Sequence, residues 1–109
     1  MILLVELCFN QNLVPNPSFE DTLCSPWGTS LLICCAGWTD YMFSPDFFTP
    51  GGDSVVSVPD NLFGYQEPAT GNCYASFIAY SNIGFYREVL GIELITPLEA
   101  GKKYYVFLR

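Results

Sequence analysis

The sequence contains no histidine and has little positive charge. Its 109 residues include four Lys or Arg against eleven Asp or Glu, and the formal net charge at pH 7 is −7. Nucleic-acid binding needs clustered basic side chains, so this balance disfavours it. The lack of His excludes Ser-His-Asp and Cys-His triads and removes the commonest zinc ligand. An acidic surface suits neutral ligands such as sugars, suits calcium, or serves solubility alone.

The sequence also lacks a long apolar run. Residues 1–11 are apolar over too short a stretch to cross a bilayer, so no transmembrane span is expected there. They resemble the apolar part of a secretory signal with cleavage near Gln11, although no basic residue precedes them and Glu6 interrupts them. The signal interpretation divides the chain into a signal-peptide remnant, 1–11, and a single module, 12–109. The alternative is that 1–11 form a first β-strand.

Five cysteines are present without a Cys-x-x-Cys pair, which disfavours a zinc ribbon or a thioredoxin-like site. In an exported protein, a disulfide would close the loop between Cys24 and the adjacent pair Cys34 and Cys35. Neighbouring cysteines rarely bond each other, so these two should differ in fate, and Cys73 could take the second. The alternative is free, buried thiols.

The pattern predicts strands and no helix of useful length. Residues 73–80, 85–95 and 104–108 are rich in aromatic and β-branched residues and are separated by Gly and Pro turns. Within 85–95, residues 86, 88, 90, 92 and 94 share one face, which the apolar members make the core face. Several short strands between turns favour an all-β fold, an antiparallel β-sandwich.

Aromatic residues are concentrated in residues 38–50, which two prolines keep out of a long helix. One interpretation buries Trp38, Phe47 and Phe48 at the ends of the sandwich. The other makes some rings, Tyr41 and Phe43 above all, a flat platform on which a sugar ring stacks.

Further candidates for sugar binding lie in the loop-rich segment 51–72. Gln66 is an amide beside the aromatic Tyr65, and amides bond sugar hydroxyls as readily as they satisfy loop backbone. The candidate carbohydrate-binding residues are Trp38, Tyr41, Phe43, Tyr65 and Gln66.

An enzyme is not expected. Glycoside hydrolysis needs two carboxylates flanking one bond. Pairs such as Asp40 with Asp46, or Glu88 with Glu93, arise in any acidic chain, and the second pair falls on opposite faces of a strand.

Three local patterns share one resemblance. They are the opening Asn12-Leu13-Val14-Pro15-Asn16-Pro17-Ser18-Phe19-Glu20, the Gly-x-x-Tyr of Gly71 and Tyr74, and the series Tyr86-Arg87-Glu88, Leu94, Pro97-Leu98, Gly101 and Tyr104-Tyr105-Val106. Their order resembles galactose-binding-like jelly-roll modules, especially family 4/9 carbohydrate-binding modules. More narrowly, it is similar to N-terminal modules of secreted surface proteins in gliding, type-IX-secreting bacteria.

The resemblance implies a jelly-roll sandwich in a secreted or cell-surface bacterial protein with a downstream envelope-anchoring or sorting domain. Because the strand pattern runs to Arg109 without a turn or polar tail, we expect the sandwich to be truncated at its C-terminus. The resemblance implies a non-catalytic module for a polysaccharide or glycan; the alternative is a structural or adhesion spacer without a ligand. It also implies a structural calcium held by Glu20 and the carbonyl of Ser18. A further calcium ligand of that family comes from a last strand that this sequence lacks, and the alternative is that Glu20 caps a turn.

Overall fold

The computed structural model describes residues 11–108 of the chain. Within that range the fold is nearly all β, and every strand pair is antiparallel. The helical content is one three-residue 3-10 helix, Leu32–Cys34. The expected all-β, antiparallel class is therefore confirmed. The signal-peptide remnant predicted at 1–11 falls almost wholly outside the described residues.

Six short strands form three two-stranded sheets in this part of the chain. The strands are β1 (Trp38–Met42), β2 (Asp46–Phe48), β3 (Asp60–Asn61), β4 (Gly64–Tyr65), β5 (Tyr74–Ser76) and β6 (Val89–Ile92). Strand β1 pairs with β6, β2 with β5, and β3 with β4. An isolated bridge joins Thr22 to Cys35.

The segment 38–50, which its prolines keep out of a long helix, forms β1 and β2. A register shift between Asp40 and Met42 is followed by Phe43 at φ 58° and then by Pro45. The shift and the left-handed residue bend the chain, and Pro45 cannot extend a ladder. Strand β2 therefore begins in a new direction and pairs with a different partner from that of β1.

The face assignment within 85–95 is confirmed. Residues 86, 88, 90, 92 and 94 are buried or half-buried, whereas 87, 89, 93 and 95 are exposed. The regular strand is shorter than expected, Val89–Ile92, because β1 offers a partner for only those residues.

Residues 104–108 do not form the expected strand. Their side chains are exposed, and they pair with no strand among residues 11–108. The backbone N–H and C=O groups of a strand need a neighbouring strand as their hydrogen-bond partner, and the residue pattern of one segment does not provide that neighbour.

Residues 11–108 include no helix with the length and hydropathy that a membrane span requires.

The core is centred on β2 and the 3-10 helix. Phe47 is fully buried with Leu32, Cys34, Cys35 and Cys73. Phe48 is also buried and stacks on Tyr74 with ring centroids 4.7 Å apart. The expectation that Phe47 and Phe48 serve the interior holds. Strand β2 also contains Asp46, whose side chain lines a cleft.

Candidate functional site

An open cleft of about 400 Å³ lies between β5, the β3–β4 hairpin and the start of β2. Its lining mixes aromatic rings, amides and carboxylates, and includes no basic residue; the lining residues are Asp46, Asn61, Phe63, Gly64, Tyr65, Gln66, Tyr74, Ser76, Phe77, Ile78 and Glu88. A second hollow of about 400 Å³ shares Gln66, Tyr74 and Ser76 with it. A concave, largely apolar surface with a few converging polar groups is the usual form of a ligand site.

The hairpin supplies the aromatic wall of the cleft. Phe63 lies in the two-residue turn between β3 and β4, and Tyr65 lies on β4; their side chains are 67% and 65% exposed. The Tyr65 hydroxyl donates a hydrogen bond to the Glu67 carboxylate. Asn61 Nδ2 donates to the Tyr74 hydroxyl at 2.7 Å. The hairpin therefore presents ring surface that is exposed yet tied to the body of the fold.

Asp46 forms part of the cleft and is 9% exposed. The β2–β5 register places it opposite Ser76. Its Oδ1 accepts the backbone N–H of Ser30 at 2.6 Å, and its Oδ2 accepts the Ser76 hydroxyl at 3.5 Å. Burial, and secondarily the charge of Glu88, raises the pKa of the Asp46 carboxyl.

Glu88 is the second buried carboxylate of the cleft, at 7% exposure. Its Oε2 accepts the N–H of Ile78 at 2.8 Å, and its own N–H donates to the Ile78 carbonyl at 2.9 Å. The hydroxyls of Ser44 and Tyr86 each lie 3.3 Å from its Oε1. This reciprocal pairing with Ile78 holds the carboxylate against the end of β5.

Two of the five predicted carbohydrate-binding residues, Tyr65 and Gln66, line the cleft. Gln66 donates its backbone N–H to the Pro59 carbonyl and its side-chain amide to the Glu67 carbonyl. Its amide oxygen has no hydrogen bond within residues 11–108. Gln66 therefore satisfies loop backbone, the alternative role of its amide, and its free amide oxygen lies beside the aromatic Tyr65.

The other three, Trp38, Tyr41 and Phe43, lie outside the cleft. Trp38 stacks on Phe19 with centroids 4.6 Å apart, and its Nε1 donates to the Asn16 carbonyl at 3.0 Å. Its ring therefore joins the N-terminal turn to β1.

Tyr41 and Phe43 also contact neighbouring elements. The Tyr41 ring covers Gly91 so closely that a Cβ there would lie 2.8 Å from a ring carbon. Phe43 packs on Tyr86 at a centroid distance of 4.3 Å. The structure does not gather these rings with Tyr65 into one platform.

The two residues predicted to hold calcium fasten the N-terminal turn to residues 70–73. Glu20 Oε1 accepts the N–H groups of Asn72 and Cys73 at 2.8 and 2.9 Å. The Ser18 hydroxyl lies 3.0 Å from that of Thr70. Glu20 therefore caps a turn, and this is the alternative to calcium binding that the sequence leaves open for this residue.

Calcium takes six to eight oxygen ligands. Residues 11–108 contain no group of three His, Cys, Asp or Glu side chains that could hold a metal ion. Glu20 offers one oxygen that is free of backbone hydrogen bonds, and Ser18 offers its carbonyl. These oxygens are fewer than the six that calcium needs. These two residues alone do not make a calcium site.

Cys24 and Cys34 form a disulfide, with Cα atoms 4.7 Å apart. Cys35 and Cys73 are buried and form no disulfide within the described residues. The adjacent cysteines therefore do differ in fate. Burial raises the pKa of Cys35 to about 12 and also raises that of Cys73, so neither thiol is a nucleophile at neutral pH.

The carboxylate pair of the cleft, Asp46 with Glu88, was not among the predicted site residues. The sequence pairs Asp46 with Asp40 and Glu88 with Glu93, and both Asp40 and Glu93 are exposed. One signal was available, since Glu88 occupies the core face of its strand among apolar residues. No local pattern pointed to Asp46.

Comparisons with protein-family models, with curated proteins and with solved structures find no match to this chain. The geometry of the cleft is therefore the guide to what this chain does.

Proposed function

We propose that the chain is a non-catalytic carbohydrate-binding module of a secreted or cell-surface bacterial protein. The observation that carries this proposal is the cleft, in which exposed aromatic rings stand beside amide and carboxylate acceptors. The apolar faces of sugar rings stack on aromatic faces, and sugar hydroxyls donate to amide and carboxylate oxygens. Tyr65 would provide the stacking face, and Gln66 would accept from a hydroxyl.

The module is proposed to be non-catalytic because its buried carboxylates have structural partners. Asp46 holds the Ser30 amide, and Glu88 holds the Ile78 amide. A general acid or base must instead be free to exchange a proton with the substrate.

The finer fold is proposed to be a jelly-roll sandwich of the galactose-binding-like type. The antiparallel pairs and the alternating burial along 86–94 support it. The Cys24–Cys34 disulfide supports an oxidising, extracellular location. We further propose that the parent protein carries a downstream envelope-anchoring or sorting domain.

A structural calcium at Ser18 and Glu20 stays a prediction of the resemblance, and it requires oxygen ligands beyond these two. Thermal unfolding with calcium and with a chelator tests it. A calcium-dependent rise in Tm that Glu20→Gln abolishes would support the site, and identical Tm values would count against it.

Binding to polysaccharides tests the main proposal. The purified chain is titrated into a panel of soluble glycans and mixed with insoluble ones. For any glycan bound, Tyr65→Ala should weaken binding by about tenfold, because aromatic stacking contributes about 0.5–1.5 kcal/mol beyond area burial. Gln66→Ala should also weaken it. Tyr80→Ala is the matched control, since Tyr80 is 76% exposed and lies outside the cleft.

Binding that Tyr65→Ala and Gln66→Ala leave unchanged would place the glycan elsewhere and overturn the assignment. Failure of the folded chain to bind any glycan would favour the alternative, a structural or adhesion spacer. One observation supports that alternative: the Trp38 ring is engaged by Phe19 and by the Asn16 carbonyl.

A further inference from the structure

The cleft contains two buried carboxylates, and no cation among residues 11–108 balances them. Asp46 and Glu88 are 9% and 7% exposed, and no Lys or Arg lines the cleft. The ion pair found within residues 11–108 joins Lys102 to Glu99, and both side chains are well exposed. Burying carboxylates without a counter-charge is costly, and proteins usually pair such groups. Within the described residues, the two carboxylates of this cleft therefore lack a positively charged partner.

Both carboxylates retain capacity to accept hydrogen bonds. An ionised carboxylate offers about four lone-pair sites. Asp46 Oδ1 accepts a short hydrogen bond from the Ser30 N–H, whereas Asp46 Oδ2 has only the Ser76 hydroxyl at 3.5 Å. Glu88 Oε1 has two hydroxyl contacts, each at 3.3 Å, longer than the usual 2.7–2.8 Å. A donor entering the cleft can therefore improve on the contacts that these oxygens now make.

We infer that the glycan bound in this cleft carries a primary ammonium group, so that its units are amino sugars with a free amine. This inference rests on the proposed carbohydrate-binding function and names its ligand class. The ammonium group would donate to Asp46 and Glu88, and the ring would stack on Tyr65. Charge-assisted hydrogen bonds are about twice as strong as neutral ones. The rings of Tyr65 and Phe63 would also attract a cation through their faces.

Two further observations agree with a cationic ligand. The chain carries a net charge of −7, which attracts cations from solution. Burial and the charge of Glu88 raise the pKa of Asp46, and a positive group beside this carboxyl would act in the opposite direction.

The test compares ligands of equal length on the unmodified chain by isothermal titration calorimetry. The probes are a glucosamine tetramer, its fully N-acetylated counterpart and a glucose tetramer. Acetylation removes the charge of the amine while keeping the ring. We expect the free amine to bind about tenfold or more tightly than either neutral tetramer, and we expect its advantage to shrink as salt is added.

An alkyl polyamine without sugar rings, spermidine, separates charge alone from an amino sugar. We expect it to bind more weakly than the glucosamine tetramer, because it cannot stack as a ring on Tyr65. Binding as tight as that of the tetramer would overturn the assignment to a sugar.

Shape-conserving variants then locate the effect. Asp46→Asn and Glu88→Gln should each reduce the preference for the free amine towards that of a neutral site. Asp40→Asn and Glu93→Gln are matched controls, because these side chains are exposed, lie outside the cleft and change the net charge equally. They should leave the preference unchanged.

Equal affinity for all three tetramers, still weakened by Tyr65→Ala, would overturn the ammonium inference and leave the carbohydrate-binding proposal standing. Binding of no glycan at all would instead remove the proposed function. The comparison of the three tetramers uses the unmodified chain, so the ammonium inference remains testable if a cleft variant fails to fold.

Discussion

The carboxylate of Glu20 joins the N-terminal turn to the strand entry that lies more than fifty residues later in the chain. One oxygen accepts the N–H groups of Asn72 and Cys73 at 2.8 and 2.9 Å. A hydrogen bond to a charged group contributes about 1.5–3 kcal/mol, and solvent around this exposed side chain reduces that contribution. We expect Glu20→Ala to lower the free energy of unfolding by about 2 kcal/mol, and Glu20→Gln by about half as much because an amide oxygen still accepts.

The same contact explains why residue 71 is glycine. Gly71 has φ +66°, and a Cβ there would lie 2.6 Å from the Glu20 carboxyl carbon. Gly71→Ala therefore combines left-handed backbone strain of about 1–2 kcal/mol with a clash against Glu20. Gly84→Ala is the matched control, because Gly84 has φ +67° and open space where its Cβ would be.

A double-mutant cycle separates the two terms. In the Glu20→Ala background the clash is gone, so Gly71→Ala should cost no more than Gly84→Ala does. The costs of Glu20→Ala and Gly71→Ala should then sum to more than the cost of the double variant, by about 1 kcal/mol. Urea unfolding followed by Trp fluorescence measures each value. Additive costs, or a Gly71→Ala variant no worse than Gly84→Ala, would refute this account of the contact.

Three further predictions concern stability. Replacing Cys24 and Cys34 with Ser opens a loop with a sequence separation of 10, and it should lower the free energy of unfolding by about 2–3 kcal/mol in urea titrations. Phe47→Ala should cost about 3–5 kcal/mol because Phe47 is fully buried, whereas Phe85→Ala at a 99% exposed site should cost little in the same titration. Because the folded pKa of Asp46 is raised, its contribution is present below its unfolded pKa of about 3.9 and is lost as pH rises through the folded value. Thermal scans should show this loss in the parent chain and not in Asp46→Asn; identical pH profiles would contradict it.

Local patterns predicted much of the fold. The alternation along residues 86–94 places apolar residues on one face, and the structure buries that face. Phe47 and Phe48 were candidates for the interior, and both are buried. These predictions succeeded because successive side chains of an extended chain point to opposite sides whatever the partner is.

Other features depend on contacts between distant segments. The cysteine spacing predicted a loop closed on Cys34 or Cys35, and packing decided for Cys34. Residues 104–108 have a strand pattern but no partner strand in the described part of the chain. The local sequence identified Tyr65 and Gln66 as candidate binding residues. It could not show that Trp38 and Tyr41 lie outside the cleft.

The sequence by itself determined the antiparallel β class, the absence of long helices from residues 11–108 and the acidic character of the module, because propensity, alternation and charge belong to single residues and their near neighbours. Tertiary structure alone decided that Asp46 and Glu88 share one cleft. Their meeting requires the pairing of β2 with β5 and the contact of Glu88 with Ile78 at the end of β5. The residues around each carboxylate do not indicate which other carboxylate it will meet. Pairing between strands far apart in the sequence depends on which strand edges the folded chain brings together.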